Sequence, residues 1–385
     1  MKKGIFQDFD GYDQVVKDIE SSRRWGTAYS ADTHGADRYI DLLHPARVRV
    51  RVSDVIEETP TAKTFRMVSE TGYLPPFQAG QYIALFFDFD GLRTSRPYSI
   101  SSPPNQVGYY DITVRRVADG LVSNYLLDDV GPGHTFESSG PSGNFYYNPL
   151  FHGRTMVCIA GGSGITPFMS MIREITERGL DRTVVLFFGN KDLEDAICHD
   201  EITRLGQRFE NIRYIPVIEN PPPGYDGATG FITGALITET LGSISDKTFY
   251  LCGPKGMVDF CLQELENLGI SRHKIRREIY GAPRDISTDP AWPEGIKTDE
   301  AVRVRVAGKT EFEARAGEPL LVALERSGVL VPSLCRSGEC SMCRVKVTSG
   351  KVFQPAGTPV RKSDRQFGYV HSCVSYPLED LELIV

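Results

Sequence analysis

The chain has 385 residues, enough for two or three domains with separate cores. Hydrophobic residues make up 41% and charged residues 24%, an ordinary composition for a soluble globular protein, and a net charge of −7 argues against a nucleic-acid partner. No apolar run approaches the roughly eighteen residues of a membrane span, and Met1-Lys2-Lys3 leads into Gln7-Asp8-Phe9-Asp10 rather than an apolar signal segment.

Residues 1–45 read as an extension with a weak helical pattern carried by Val15, Val16, Ile19 and Trp25, without a motif. Either it docks a partner or it packs on the domain that follows. From residue 46 to about 150 short alternating strands are broken by Gly and Pro, at 48–52, 81–87 and 110–114, which predicts an antiparallel β-barrel. This region contains Arg96-Pro97-Tyr98-Ser99-Ile100-Ser101-Ser102. Tyr98 can lay a flat ring on an isoalloxazine, and Arg96 can pair with a pyrophosphate through two donors. Further on, Gly120-Leu121-Val122-Ser123 offers glycine and backbone N–H groups to a second phosphate edge. Taken alone, the arginine motif could equally be an edge strand with an exposed Arg.

Over residues 151–281 apolar strands alternate with amphipathic helices, a βαβ rhythm that predicts a parallel sheet and a nucleotide-binding α/β domain. Strand 156–159 runs into Gly161-Gly162-Ser163-Gly164-Ile165-Thr166-Pro167. There Gly162 and Gly164 lead into a helix N-terminus, whose free N–H groups and dipole favour a pyrophosphate. Pro167 replaces the third glycine of the usual dinucleotide fingerprint. A later strand, 248–251, ends in Cys252-Gly253-Pro254, at the end of a parallel strand where ligands sit; an inert buried thiol is the alternative for Cys252. Residues 282–299 hold three prolines and few apolar groups and read as a linker.

Residues 300–385 begin with an alternating hairpin, continue into a helix near 319–327 and reach Cys335, Cys340 and Cys343, with Cys373 following after twenty-nine intervening residues. This C-x4-C-x2-C spacing with a distant fourth Cys is the plant-type [2Fe–2S] pattern, and implies an α+β β-grasp ferredoxin domain. Zinc sites favour two short C-x2-C pairs, so zinc or unrelated core thiols is the weaker reading. The other four cysteines, Cys158, Cys198, Cys252 and Cys261, are scattered, a usage that fits a reducing cytoplasm.

Arg96-Pro97-Tyr98-Ser99, the Gly161–Pro167 turn and Cys252-Gly253-Pro254 together resemble the ferredoxin–NADP⁺ reductase superfamily. With the cysteine loop, residues 46–385 resemble the three-domain flavin/iron–sulfur reductases that feed oxygenases, the phenylacetyl-CoA epoxidase and the hybrid-cluster protein. The resemblance implies that Arg96, Tyr98 and Ser99 hold the flavin, with Gly120 and Ser123 nearer its pyrophosphate. It implies that Gly162, Gly164, Thr166 and Pro167 meet the pyrophosphate of the nicotinamide cofactor, and that Cys252, with Gly253 and Pro254, lies near the nicotinamide. Glu278 would fall near the reactive flavin edge, although Ile279-Tyr280 departs from the family's commoner spacing before Phe. Gly120-Leu121-Val122-Ser123 resembles the FAD-binding rather than the FMN-binding branch.

A nicotinamide gives two electrons as a hydride and a [2Fe–2S] cluster accepts one, so a flavin between them reconciles the two. The expectation is an oxidoreductase with catalytic residues Tyr98, Cys252 and Glu278. It would pass electrons from NAD(P)H through FAD and the cluster to a separate metalloenzyme such as an oxygenase. The alternatives are a stand-alone oxidase or quinone/metal reductase, for which a one-electron outlet serves no purpose, and a non-catalytic ferredoxin carrier, which the intact Gly-rich turn argues against. NADH is favoured over NADPH because Lys191 is the only cation after the second strand and Glu219 follows the third.

Overall fold

Polar and apolar residues alternate through Val48–Ser53, and such alternation is what makes the first domain a half-buried antiparallel sheet. The structure is a computed structural model that describes residues 11–26, 40, 43, 45–283 and 285–385. Residues 1–45 and 46–385 form separate units. In the first, helix α1 (Tyr12–Trp25) carries the predicted helical pattern and buries none of its side chains.

The barrel is built from β1 (Val48–Thr59), β2 (Ala62–Ser69), β3 (Tyr82–Phe89), β4 (Leu92–Ser99), β5 (Tyr110–Arg115), helix α2 (Leu121–Asp129) and β6 (Thr135–Ser138). Its strands lie in the order β4-β3-β6-β1-β2-β5, and an antiparallel bridge from Ile100 to Ile112 closes the sheet on itself. The β3–β4 hairpin turns at Asp90-Gly91, both left-handed, so that Phe89 pairs with Leu92. The turn therefore sets the register of the strand that carries Arg96, Tyr98 and Ser99.

The second sheet contains β7 (Thr155–Gly161), α3 (Thr166–Arg178), β8 (Thr183–Asn190), α4 (His199–Arg208), β9 (Ile212–Ile218), β10 (Ala228–Thr229), α5 (Gly234–Leu241), β11 (Thr248–Gly253), α6 (Lys255–Asn267) and β12 (Ile275–Ile279). All six strands are parallel, in the order β10-β9-β8-β7-β11-β12. β7 is apolar along almost its whole length because both its faces are covered. Cys158 and Ala160 enter one core, while Val157 and Ile159 enter the other. The winding reverses between β7 and β11, and such a switch point opens a crevice at the carboxyl ends of the two strands.

The last domain runs β13 (Ala301–Val306), β14 (Thr310–Arg315), α7 (Leu320–Arg326), β15 (Arg344–Ser349), β16 (Val352–Phe353), α8 (Lys362–Gln366), β17 (Tyr369–His371), β18 (Tyr376–Pro377) and β19 (Leu381–Ile384). A five-stranded mixed sheet in the order β14-β13-β19-β15-β17 packs on Leu320, Leu321 and Leu324 of α7. Ahead of this sheet, Ile286 and Trp292 pack on Phe353 and Tyr376, so the proline-rich stretch lies against the domain it precedes.

Candidate flavin, nucleotide and cluster sites

β4 delivers Arg96, Tyr98 and Ser99 to a cavity of about 400 Å³ to which all three folded regions contribute. The barrel supplies these residues with Arg115, Gly120 and Ser123; the parallel-sheet domain adds Ser163, Thr166 and Tyr280; the last domain adds Val322, Arg336 and Cys373. Among the described residues the Arg96 guanidinium donates only to neutral acceptors, Thr94 Oγ1 and the Ser95 carbonyl, both at 2.7 Å. Burial, and then the nearby Arg336 guanidinium, lower its pKa to about 10. A cation that its surroundings penalise in this way is suited to an anion, and a pyrophosphate fits it. Gly120 precedes α2 so tightly that a Cβ there would overlap Ser123 Oγ and Val117. Ser123 Oγ holds this turn by donating to the Gly120 carbonyl and accepting from the Val117 N–H.

The nucleotide crevice is shaped by close backbone approach. β7 ends at Gly161 and a tight turn, Gly162–Ile165, enters α3 with Pro167 in its first turn. Gly162 is left-handed, and any side chain on it would meet the Arg115 guanidinium. At Gly164 a Cβ would overlap the Cys252 carbonyl, so the turn and the end of β11 can touch only because that position is glycine. Gly253 packs against Gly161, and Pro254 caps α6. Cys252 is fully buried, and burial raises its thiol pKa well above the ordinary value.

Tyr280 is a site residue that no sequence motif marks. Its hydroxyl lies 3.0 Å from Ser99 Oγ and 3.1 Å from Thr166 Oγ1, joining the barrel to the Gly-rich turn. Strand alternation was the available signal, since Glu278 and Tyr280 are two residues apart and so project to one side. Ser99 Oγ also donates to Glu278 Oε2 at 3.3 Å. Burial, then the charge of Glu339, raise the Glu278 pKa to about 8, against the opposing pull of the Ser99 hydrogen bond.

The four cysteine thiols form one chain of neighbours, Cys340 beside Cys335, Cys335 beside Cys373 and Cys373 beside Cys343. Among the described residues no three His, Cys, Asp or Glu side chains converge as they would on one metal ion. Four thiols gathered in this way fit a two-iron cluster, which takes two thiolates at each iron. The loop that presents them is wound through left-handed Arg336, Gly338 and Ser341, and the Ser337 and Cys340 N–H groups donate to Cys335 Sγ. Arg336, also missed in the sequence, leaves this loop for the barrel. It forms a two-point pair with Glu325 at 2.7 and 2.8 Å and reaches Thr94 Oγ1 at 3.3 Å.

Comparison with known proteins gives the same three parts. Residues 50–147 match the oxidoreductase FAD-binding domain, 158–263 the oxidoreductase NAD-binding domain, and 304–378 the 2Fe-2S iron-sulfur cluster binding domain. NADH oxidoreductase HCR of Escherichia coli is 31% identical over 338 residues, covering 87% of this chain and 97% of that protein. The glycine betaine monooxygenase reductase subunit of Pseudomonas aeruginosa is 28% identical over 345 residues, covering 86% and 93%. The solved structure of phthalate dioxygenase reductase superposes with a TM-score of 0.66 at 24% identity, over 88% of this chain and 97% of that one. The fold and the three matched domains define a pyridine-nucleotide oxidoreductase with FAD, NAD and [2Fe–2S] domains. The chain belongs to the three-domain flavin/iron–sulfur reductases of the ferredoxin–NADP⁺ reductase superfamily.

Proposed function

We propose that this chain is the reductase component of a two-protein system, drawing on NADH and serving an oxygenase or other metalloenzyme. The observation that carries the reading is the single cavity shared by β4, the Gly-rich turn and the cluster domain. The bound groups supply the exchange between hydride chemistry and single electrons.

The chain's own residues do the positioning. Arg96 binds the flavin pyrophosphate, Tyr98 and Ser99 set the ring, and Gly120 with Ser123 shapes the turn beside it. Gly162, Gly164, Thr166 and Pro167 receive the nucleotide pyrophosphate; Cys252, Gly253 and Pro254 border the nicotinamide. Tyr280 ties the two half-sites together, and Glu278 stands behind Ser99. Cys335, Cys340, Cys343 and Cys373 hold the cluster. NADH is the cofactor proposed here; at the end of β8 the Asn190 amide is buried with neither its nitrogen nor its oxygen partnered among the described residues. Glu219, beside it after β9, would repel a 2′-phosphate. The NADH oxidoreductase among the relatives favours the same assignment.

Anaerobic rapid mixing of wild-type and Cys340→Ser protein with NADH or NADPH tests this. Both proteins should bleach the flavin, faster with NADH, and both should reduce ferricyanide. Only the wild type should reduce an iron–sulfur acceptor protein. Full activity of Cys340→Ser with that acceptor would return the function to a stand-alone oxidase or quinone reductase.

A further inference from the structure

An acceptor that takes single electrons has to approach the cluster ligands, because tunnelling between redox centres weakens steeply with distance. Most of the cysteine loop already has a neighbour. Arg336 is spent on Glu325 and Thr94. Gly338 lies against Val374, and its carbonyl is held by His371 Nδ1 at 2.6 Å. Glu339, itself still exposed, lines a small cleft with Tyr82, Ser99 and Glu278. The tip remains open, where Met342, between the ligands Cys340 and Cys343, is 48% exposed.

The surface that continues from Met342 is apolar at its centre and basic around it. β15 leaves the loop with Val345 buried and Arg344 exposed, and it pairs Lys346 with Tyr369 on β17, the edge strand of the sheet. The Arg344 guanidinium lies 5.8 Å from the Tyr369 ring centroid and hydrogen-bonds Asp364 of α8 at 3.0 Å, which makes loop, strands and helix one continuous face. Phe367, just before β17, is 61% exposed, and Lys362 and Arg365 of α8 stand in solvent. Residues 339–371 contain six lysines and arginines against only Glu339 and Asp364, in a chain whose net charge is −7. A local reversal of sign around exposed Met and aromatic side chains is the composition of a docking surface with electrostatic steering.

We infer that this face, with Met342, Phe367 and Tyr369 central and Lys346, Lys362 and Arg365 at the rim, docks the electron-accepting protein. The partner it fits presents an acidic rim around an apolar approach to its own redox centre. The inference rests on the reading that electrons leave through the cluster.

Cytochrome b5, acidic at its haem edge, and cytochrome c, basic at its own, serve as probes of the intact holoprotein. Binding is read as Kd by surface plasmon resonance and turnover as haem reduction. Lys362→Glu/Arg365→Glu should weaken cytochrome b5 binding about tenfold at low salt, converge with wild type at high salt, and tighten cytochrome c binding. Phe367→Ala should weaken both probes with little salt dependence. Unchanged cytochrome b5 affinity in the charge-reversed protein, or parallel shifts for both cytochromes, overturns the docking surface. Cys340→Ser should still bind cytochrome b5 while losing its reduction. If that variant still reduces cytochrome b5, the functional reading fails, and the binding result still decides the surface on its own.

Discussion

The flavin barrel is held on two sides in unlike ways. Toward the parallel-sheet domain the cores merge: Ala62, Ala79 and Phe145 share one buried cluster with Met156, Phe168 and Met171. Polar clasps reinforce the seam. Asp195 accepts from Thr59 at 2.8 Å and Thr61 at 2.5 Å and pairs with Arg115. Ser170 donates to the Ser102 carbonyl at 2.7 Å, and Arg173, itself paired with Glu201, donates to that of Ser101 at 2.8 Å. Toward the ferredoxin domain the apolar clusters stay separate, and the contact is polar: Arg336, Glu325 and Thr94, with Ser95 against Ser333 at 3.1 Å. Hydride transfer needs atoms aligned to a fraction of an ångström, which a merged core enforces. Single electrons cross between centres that need not touch, and a polar seam is the kind across which domains move. One side is a frame and the other a latch.

The largest effect expected from breaking this contrast is at the latch. Arg336 and Glu325 are 8% and 7% exposed at the side chain, so Glu325→Ala leaves a buried guanidinium without its counter-ion, at a cost of about 3–5 kcal/mol. Loss of cluster absorbance on heating should then come well before flavin release, and proteases should gain access to residues 282–299. Replacing both partners by apolar residues, Arg336→Met with Glu325→Leu, should restore most of the loss. If flavin and cluster are instead lost together in Glu325→Ala, the two seams are not independent. A smaller effect is expected at the frame. Asp195→Ala removes an acceptor shared by three donors in a half-exposed place, costing about 1–3 kcal/mol. It should slow the reduction of flavin by NADH in rapid mixing while leaving the later reoxidation by ferricyanide unchanged. A normal rate of flavin reduction would show that the shared core alone sets the hydride geometry.

How much of this could be read from the sequence differed along the same line. The three sheets, the glycine turn and the cysteine loop were legible because each is written locally, in alternation, in glycine spacing or in C-x4-C-x2-C. The latch was not. Arg336 looks like one more surface cation until the left-handed turn at that residue sends it into the barrel, and Thr94 and Glu325 lie 242 and 11 residues away from it. Tyr280 was hidden for a related reason. Its partners Ser99 and Thr166 are distant in the chain, and only closure of the barrel on the parallel sheet brings the hydroxyls together. Asn190 gave no signal at all, since an unpartnered amide is visible only once the strand around it is buried.

Glu278 sits where frame and latch come closest, in a small cleft with Ser99 and Tyr280 on one side and Cys335 and Glu339 on the other. It gives the smallest predicted effect and the sharpest test of how dry that junction is. Burial, followed by the charge of Glu339 and opposed by the Ser99 hydrogen bond, raises its pKa from 4.5 to about 8. Across that window the folded carboxyl keeps a proton that the unfolded chain has already released. The native state therefore binds more protons there, and stability falls as pH rises from 4.5 toward 8. Cys252 and Tyr280, pushed up by burial, stay neutral over the same range, while Glu339, raised by burial to about 7, adds a slope of the same sign in both proteins. In Glu278→Gln this component of the slope is absent. The wild type should therefore lose melting temperature relative to the variant on going from pH 5 to pH 8, with the gap closing at the acid end. A gap that stays constant across that range would mean that the carboxylate is charged in the folded protein, and that water reaches the junction between the two seams.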